Sequence, residues 1–328
     1  MISIPNQFLL LIFALYAGCG CRMPAPNRTV PTRNYKLVSE ASWTLQPPAG
    51  RFDASGLVRL PSGQLLTVND KDPGVFEIRF GTNQSNANLL PWPQLSPAHF
   101  SPLNTGRDLP WDLEGIAIGP DKALYLCEEH SRWILRQRKT NGPLERLPID
   151  WSSESRWFRP TDRNASWEGI AVGGGRLWVA NERSIGRIFE IDLKTLAIIG
   201  SFRVAPPSST AEDIHYTDLC WYEGQLWVLC RENRRVLCVD PDTRQVLSSF
   251  SYFEVEMDPR YAYRHILPYG FFEGLSVDAD FIWLLIDNNG YGRKSDSKDT
   301  RPQLFRCPRP DKIKGNNQSL NLLAARPK

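Results

Sequence analysis

Acidic residues recur at matching places along this chain of 328 residues, and of all its side chains they are best suited to chemistry. Five similar segments each open on a polar residue beside glycine or leucine and continue into an apolar run. A second polar residue follows 14 or 15 positions later in every copy. The first set is Ser55, Glu114, Glu168, Asp218 and Glu273, and the second set is Asp70, Glu129, Glu182, Glu232 and Asp287. Packing does not require so many carboxylates at matched positions, so the pattern predicts a functional site.

Carboxylate oxygens at this density suit a hard cation, and calcium accepts the irregular geometry that separate strands would provide. We therefore predict that the first set binds Ca²⁺, with Glu114, Glu168, Asp218 and Glu273 as the metal ligands. The alternative is that acids of both sets form salt bridges between repeats, because basic residues adjoin the second set. Both arrangements can coexist. In and next to the second set, the residues that we predict to bind a ligand are Glu129, Glu182, Arg183, Glu232 and Arg234.

Each of the five segments has the pattern of a β-hairpin. Its second apolar run is rich in strand-forming residues, as in Leu177-Trp178-Val179, and turns such as Gly173-Gly174-Gly175 separate the two runs. The segments are 52–71, 111–130, 166–183, 216–233 and 271–289, and the residues after the first-set positions are 59, 54, 50 and 55 positions apart. This spacing predicts an all-β fold, a single β-propeller of four-stranded blades whose inner strands bring the acids to one mouth of a central channel.

The ends of the repeat region predict how the propeller closes. Residues 35–45 have the pattern of a lone strand, and a single strand near 303–307 follows the last hairpin. An N-terminal strand that completes the last blade would account for both features. We therefore predict five blades, with six as the alternative, in one domain that spans residues 35–310 and is followed by a polar tail at 311–328.

Long links join the predicted blades, at 81–112, 139–166, 204–217 and 240–271, and long loops in compact domains are often functional. They carry many Trp, Tyr and Phe residues, which predicts aromatic walls around the acidic mouth. His265 lies in the last link, and His130 follows a second strand. Because histidine exchanges protons near neutral pH, we predict His130 and His265 as catalytic residues together with Glu114 and Glu168. The alternative is that these residues only pack the loops onto the propeller.

The composition limits the classes of function. A formal net charge of +3 and scattered basic residues do not indicate a nucleic-acid partner. The sequence has no GxSxG elbow, Walker loop or HExxH motif, which disfavours serine hydrolases and nucleotide hydrolases. Hydrolysis by this chain would therefore be metal-assisted, with a cation polarising the bond and a carboxylate or a histidine taking the proton.

The N-terminus has the pattern of an export signal. An apolar run, Phe8–Ala17, is too short to span a bilayer, and it leads to Ala17-Gly18-Cys19. This end is similar to a bacterial lipoprotein signal, in which the cysteine is lipidated. We predict a signal peptide at 1–18, lipidation of Cys19 and a Pro-rich tether at 19–34. The protein would then be exported to the periplasm or outer membrane of the bacterial cell envelope, and the lipid on Cys19 would be its only contact with the membrane. The alternative is an ordinary secretory signal that is cleaved nearby.

Four of the repeats open on related motifs: Ser55-Gly56-Leu57, Asp112-Leu113-Glu114-Gly115-Ile116-Ala117, Trp167-Glu168-Gly169-Ile170-Ala171 and Phe272-Glu273-Gly274-Leu275. These motifs resemble those of the phytase-like, "esterase-like activity of phytase", β-propeller proteins of bacteria. The resemblance implies an exported propeller and, by the family's name, hydrolysis of a small-molecule ester or phosphoester. Calcium-dependent lactonase propellers carry similar motifs around a catalytic ion, and Glu114, Glu168 and Asp218 are the positions that match. The alternative is a propeller of the cell envelope that binds a ligand or a protein without catalysis.

Overall fold

The computed structural model describes residues 31–312 apart from 83–84, 106–108, 159–160, 163–164, 184, 208, 210–213 and 265–269. The predicted signal peptide, Cys19 and the polar tail beyond Lys312 lie outside the described residues. Two strands precede the repeats, β1 (Arg33–Lys36) and β2 (Ala41–Gln46). In the described part of the chain, no helix is long and apolar enough to cross a bilayer.

The repeats form successive groups of strands. In chain order they are β3 (Ala54–Arg59), β4 (Leu65–Asn69), β5 (Val75–Phe80), β6 (Asn86–Pro91); β7 (Leu113–Ile118), β8 (Leu124–Glu128), β9 (Trp133–Gln137), β10 (Leu144–Arg146); β11 (Trp167–Gly173), β12 (Arg176–Asn181), β13 (Arg187–Asp192), β14 (Ile198–Phe202); β15 (Tyr216–Tyr222), β16 (Gln225–Cys230), β17 (Arg235–Val239), β18 (Val246–Ser251); and β19 (Phe272–Val277), β20 (Phe281–Ile286), β21 (Gln303–Pro308). Short 3₁₀ helices lie at Pro93–Leu95, Pro97–His99, Ser101–Leu103 and Ser152–Trp157, and one α-helical turn, α1, lies at Phe253–Glu256.

Each group forms an antiparallel arrangement in which strands adjacent in sequence pair with one another. The last group has three strands of its own, and β2 supplies the fourth by pairing antiparallel to β21. On its other side β2 pairs parallel to β6, which joins the first and last groups into one eight-stranded sheet. Within the described residues, the first strands β3, β7, β11, β15 and β19 contact one another in a closed ring. The predicted all-β propeller and its closure by an N-terminal strand are confirmed, and the number of blades stays a prediction that this ring supports.

Two local features differ from the sequence prediction. The lone strand expected at 35–45 is two strands, because β1 pairs parallel to β18 while β2 closes the last sheet. The fourth strands β6, β10 and β18 lie inside segments that we predicted as long links. These outer strands are partly exposed and contain polar residues such as Asn86 and Ser248, so their apolar alternation is weak. The links around the mouth are therefore shorter than expected.

The core lies between neighbouring sheets, and the alternation along the inner strands decides which side chain faces which neighbour. In β12, Leu177 and Val179 pack into an apolar cluster with Trp167 on one face of the sheet. Trp178, between them, packs into a second cluster on the other face. All of these side chains are fully buried. A strand covered on both faces has a continuous apolar run, which is why the second strands were the clearest feature of the sequence.

Glycines let the first strands approach one another closely around the channel. A β-carbon added to Gly169 would lie 2.6 Å from the Cα of Asp218, and one added to Gly115 would lie 2.7 Å from the carbonyl oxygen of Glu168. Such distances are shorter than any ordinary packing contact. Gly115 and Gly169 are therefore required by the packing of adjacent strands, and Glu114 and Glu168 before them take their positions from that packing.

Candidate functional site

A polar cavity of about 410 Å³ opens at one end of the ring of first strands, and we refer to it as the mouth cavity. A β-bulge falls at Glu114, Glu168 and Glu273 in β7, β11 and β19, where an extra residue re-aims a side chain. Among the described residues, the acids that line the cavity are Asp70, Asp112, Glu114, Glu129, Glu168, Glu182, Glu273 and Asp287, and the basic residues are Lys71, Arg183 and Arg231. The structure thus brings most of both predicted acidic sets together.

Three of these acids, Asp70, Asp112 and Glu114, form a cluster that we call the Asp70 group. One carboxylate oxygen from each lies within 4.8 Å of the others. Asp70 Oδ2 pairs with the Lys71 ammonium at 2.5 Å, whereas its Oδ1 is buried and has no hydrogen-bond partner in the described structure. Burial raises the pKa of Asp70 to about 7. Burial, followed by the charge of Asp112, also raises the pKa of Glu114 well above its usual value.

Glu129, Glu168 and Glu182 form a second cluster, the Glu129 group, in which one oxygen from each again lies within 4.8 Å of the others. The Ser166 backbone N–H donates to Glu129 Oε1 at 3.2 Å. Glu168 is only 8% exposed, and its carboxylate makes no hydrogen bond or ion pair with any described residue. Burial, and then the charge of Glu114, raises the pKa of Glu168 well above its usual value. The fold therefore holds a largely buried carboxyl group at the wall of the cavity, with no hydrogen bond or ion pair to a described residue.

Arg231 is the buried basic residue of the mouth cavity. Its guanidinium bonds Glu182 Oε1 at 2.5 Å and also contacts Glu273 Oε1. Burial opposes its charge, but these two carboxylates raise the pKa of Arg231 above its usual value. Arg183 bonds the other oxygen of Glu182 at 2.6 Å. All three basic side chains of the cavity are thus paired with its acids, so an excess of negative charge remains when the acids ionise.

Glu273 differs from the other acids because only one of its oxygens is held. Arg231 contacts Oε1, whereas Oε2 is buried and has no hydrogen-bond partner among the described residues. Burial raises the pKa of Glu273 to about 8, and Arg231 only partly offsets this effect. A carboxyl group with one fixed oxygen and a pKa near neutrality can carry a proton at the other oxygen.

Asp218 was predicted as a metal ligand, but the structure places it away from the mouth cavity. It is fully buried, and its Oδ2 accepts the backbone N–H groups of Leu275 at 2.7 Å and Leu57 at 3.2 Å. Its Oδ1 accepts the N–H of Leu219 at 2.8 Å. These N–H groups belong to three different first strands, so the Asp218 carboxylate ties β3, β15 and β19 together. A separate and more apolar cavity of about 230 Å³, lined in part by Leu57 and Leu219, lies at the other end of the channel.

The pairing register explains this placement. In β7, β11 and β19 the residue after the bulge is a glycine: Gly115 pairs with Cys127, Gly169 with Ala180 and Gly274 with Leu285. In the fourth repeat the equivalent residue is Asp218, which pairs with Leu229. The extra residue of the bulge is accordingly Thr217. Our alignment matched acid to acid and was wrong by one position in this repeat, because the pairing of strands counts from the hairpin turn.

The same displacement affects the second set. An acid directly follows the second strand in four of the five repeats, namely Asp70, Glu129, Glu182 and Asp287. In the remaining repeat, the fourth along the chain, this residue is Arg231 instead of Glu232. Sequence reasoning missed Arg231 for this reason, although alignment on the turns would have identified it. It also missed Asp112, whose signal was an acid two positions before Glu114, as Asp53 stands two positions before Ser55.

Four other predicted residues lie outside the cavity lining or outside the described structure. Glu232 Oε2 accepts the backbone N–H of His215 at 2.7 Å, and Arg234 pairs with Glu256 at 2.7 Å. His130 lies behind the lining, with Nε2 at 3.1 Å from Asp112 Oδ2. His265 falls outside the described residues. Of the residues predicted to bind a ligand, Glu129, Glu182 and Arg183 line the cavity, and their roles stay predictions.

Comparison with protein families identifies the chain. The model of the phytase-like family, described as "Esterase-like activity of phytase", matches residues 47–290, and the chain belongs to this family. No curated protein sequence matches it. The predicted family resemblance is therefore confirmed over most of the chain.

Solved structures that resemble the chain are propeller-type proteins. Glutaminyl cyclase from Myxococcus xanthus is 13% identical, covers 84% of this chain and 97% of its own, and has a TM-score of 0.54. The PQQ-bound aldose sugar dehydrogenase from Streptomyces coelicolor is 13% identical over 83% of this chain and 98% of its own, with a TM-score of 0.43. Inactive virginiamycin B lyase from Staphylococcus aureus is 14% identical over 79% and 68%, with a TM-score of 0.39. The likeness to glutaminyl cyclase shows the fold, and the fold alone does not assign a function.

Proposed function

We propose that this phytase-like propeller is a divalent-cation-dependent hydrolase of esters or phosphoesters, with the mouth cavity as its active site. The observation that carries the proposal is the Asp70 group, in which buried carboxylates lie within 4.8 Å of one another and one oxygen lacks a partner in the described structure. Carboxylates at this separation repel one another unless protons or a cation neutralise them. Lys71 neutralises one oxygen of Asp70, and a divalent cation among the three carboxylates would neutralise the remaining charge.

The donor set fits calcium. Ca²⁺ binds oxygen ligands at about 2.3–2.6 Å, so two ligands on opposite sides of the ion are about 4.8 Å apart. Asp70, Asp112 and Glu114 offer oxygens within that span and would hold the ion. The contact between His130 Nε2 and Asp112 Oδ2 fixes one of the ligands, as supporting residues do around metal sites. This assignment replaces the ligand set expected from the sequence, which combined Glu114 with Glu168, Asp218 and Glu273.

A bound calcium ion would polarise the scissile bond and make a water molecule more acidic. Glu273 is the residue best placed to move a proton, because Arg231 holds its Oε1 and leaves Oε2 without a described partner. Burial raises the pKa of Glu273 to about 8, which favours a proton on Oε2 that could pass to the leaving oxygen. Phe271 and Tyr291, which also line the cavity, provide apolar surface against the organic part of a substrate.

We also propose that the protein is exported and anchored through Cys19. The support is the N-terminal sequence, in which an apolar run, a small residue pair and a cysteine precede a Pro-rich tether. An exported protein meets calcium at higher concentrations than a cytosolic protein does, so the location agrees with weak binding by a site of this kind.

The direct test is an assay of chelator-treated protein on phosphomonoesters, aryl esters and lactones, with and without added Ca²⁺. We expect turnover that returns with Ca²⁺ and that is lost in Asp112→Asn. The matched control is Glu254→Gln, which removes an acid that is 62% exposed on α1. Calcium binding without turnover of any substrate class would instead favour a non-catalytic binding propeller. If no ion binds and Asp112→Asn changes only thermal stability, the acids are structural and the proposal fails.

A further inference from the structure

Glu168 is the member of the Glu129 group whose carboxylate has no hydrogen bond or ion pair among the described residues. It is 8% exposed, and the charge of Arg231 acts on its carboxylate only at longer range. The other acids of the Glu129 group do have partners: Ser166 donates to Glu129, and Arg183 and Arg231 bond Glu182. A neutral side chain of the same size would fill this position without the energetic penalty of a buried, unpartnered acid. A cation in the mouth cavity would supply the partner that this carboxylate lacks.

We propose that the Glu129 group is a second site for a hard divalent cation, distinct from the Asp70 group. One oxygen each from Glu129, Glu168 and Glu182 lies within the 4.8 Å that a single calcium ion can span. Glu168 supplies the oxygen that has no competing partner. This inference rests on the proposed function, because it turns a mouth cavity with one cation into a cavity with two.

Arg183 neutralises the charge of Glu182 at the proposed second site. Both oxygens of Glu182 are occupied, Oε1 by Arg231 at 2.5 Å and Oε2 by Arg183 at 2.6 Å. The Arg231 side chain is 10% exposed and is held between two acids, whereas the Arg183 side chain is 32% exposed and lines the cavity. A cation that takes Glu182 Oε2 therefore displaces Arg183 rather than Arg231. The released guanidinium remains beside the ion, where it can bind an anionic group of the substrate.

A second cation also narrows the class of substrate. Eight carboxylates and three basic side chains line the described cavity, so a single divalent ion leaves the ionised mouth negative and repels a phosphate group. Two cations in the same cavity together with Arg183 offset more of that charge, and the Arg183 guanidinium can pair with a phosphate oxygen. The second site thus favours phosphoesters over uncharged esters and lactones.

The experiment is calorimetric titration of the chelator-treated protein with Ca²⁺ at pH 7. We expect two ions to bind the wild-type protein, one ion to bind Glu168→Gln, and one ion to bind Asp112→Asn. Arg183→Gln removes the competing guanidinium and should bind the second ion several-fold more tightly. Glu254→Gln, the exposed control, should bind two ions. Glu129→Gln provides a second test of the same site, and thermal unfolding of each variant checks that it is folded.

The outcomes separate this inference from the proposed function. If the wild-type protein binds one ion, and Asp112→Asn loses it while Glu168→Gln keeps it, the second site is refuted and the Asp70 group remains supported. If the wild-type protein binds one ion, and Glu168→Gln loses it while Asp112→Asn keeps it, the Glu129 group is supported as a cation site and the Asp70 group is refuted. Two ions in Glu168→Gln would overturn the inference, and an unchanged affinity in Arg183→Gln would overturn the displacement of Arg183. Binding of no ion would refute both sites.

Discussion

Replacement of Glu168 by glutamine is expected to stabilise the protein in the absence of cations. The substitution keeps the size of the side chain and removes a carboxyl group that is buried beside other acids without a described partner. The buried carboxyl group must keep its proton or ionise beside other acids, and this costs up to about 1.4 kcal/mol for each pH unit above 4.5, a cost that glutamine avoids. We expect Glu168→Gln to recover a gain of that size at pH 7, which is opposite in sign to most substitutions of buried residues.

The gain should depend on pH. Burial raises the pKa of Glu168 in the folded protein above the value of 4.5 that applies to the unfolded chain. Below that value both states hold the proton and the wild type loses nothing. As the pH rises toward the folded-state pKa, the unfolded chain releases the proton first, and the wild type loses up to about 1.4 kcal/mol per pH unit through this one group. The advantage of Glu168→Gln should therefore be smallest near pH 4 and largest at neutral pH.

Urea unfolding followed by tryptophan fluorescence measures this difference. The wild type, Glu168→Gln and the exposed control Glu254→Gln are compared at pH 4.5 and pH 7 in chelator, and again in excess Ca²⁺. Calcium should stabilise the wild type more than Glu168→Gln and so reduce or reverse the difference. A variant that unfolds in chelator at the same or a lower urea concentration than the wild type would refute the reasoning, because it would show that the Glu168 carboxylate has a stabilising partner in the folded chain.

Three further predictions concern other parts of the chain. Gly169→Ala places a β-carbon 2.6 Å from the Cα of Asp218 and should lower the free energy of unfolding by at least about 1–3 kcal/mol in thermal or urea unfolding; an unchanged midpoint would contradict the close approach of β11 and β15. Asp218→Asn turns an amide N–H₂ toward backbone N–H groups and should cost about 1–3 kcal/mol by urea unfolding; full stability would show that these hydrogen bonds do not hold the ring. Cys19→Ala should abolish fatty-acid labelling in a bacterial host, and a wild-type protein that takes up no label would rule out the lipid anchor.

Local sequence patterns made the hairpins and the two sets of acidic residues predictable. Strand alternation, glycine turns and the acid-glycine pair each extend over fewer than 20 residues in the sequence, as in the segment from Ser166 to Arg183. The glycine at the next position also has a local signal, because it recurs in four copies, after an acid in three and after Ser55 in one. The family resemblance rested on the same residues. Most of the mouth lining could accordingly be named before the structure was known.

Features that depend on pairing between distant strands were not predictable in this way. The displacement of Asp218 and Arg231 follows from where the bulge falls in β15, at Thr217, and an alignment of acid to acid conceals it. The outer strand β10 has three residues and no clear alternation, so only its pairing with β9 defines it. The lack of a partner for Glu168 likewise depends on which side chains approach it from other repeats. Sequence distance carries no information about such contacts.

Proton release on calcium binding tests the central claim most directly, namely that the mouth cavity holds a divalent cation. Calorimetric titration of the chelator-treated wild type with Ca²⁺ at pH 7, in two buffers with different heats of ionisation, gives the number of protons released. Because burial raises the pKa of Asp70 to about 7 and raises that of Glu114 well above its usual value, these groups hold protons that an ion must displace. The account predicts binding with a net release of protons that falls in Asp112→Asn and persists in Glu254→Gln. Absence of binding, or binding with the same heat in both buffers, would contradict it.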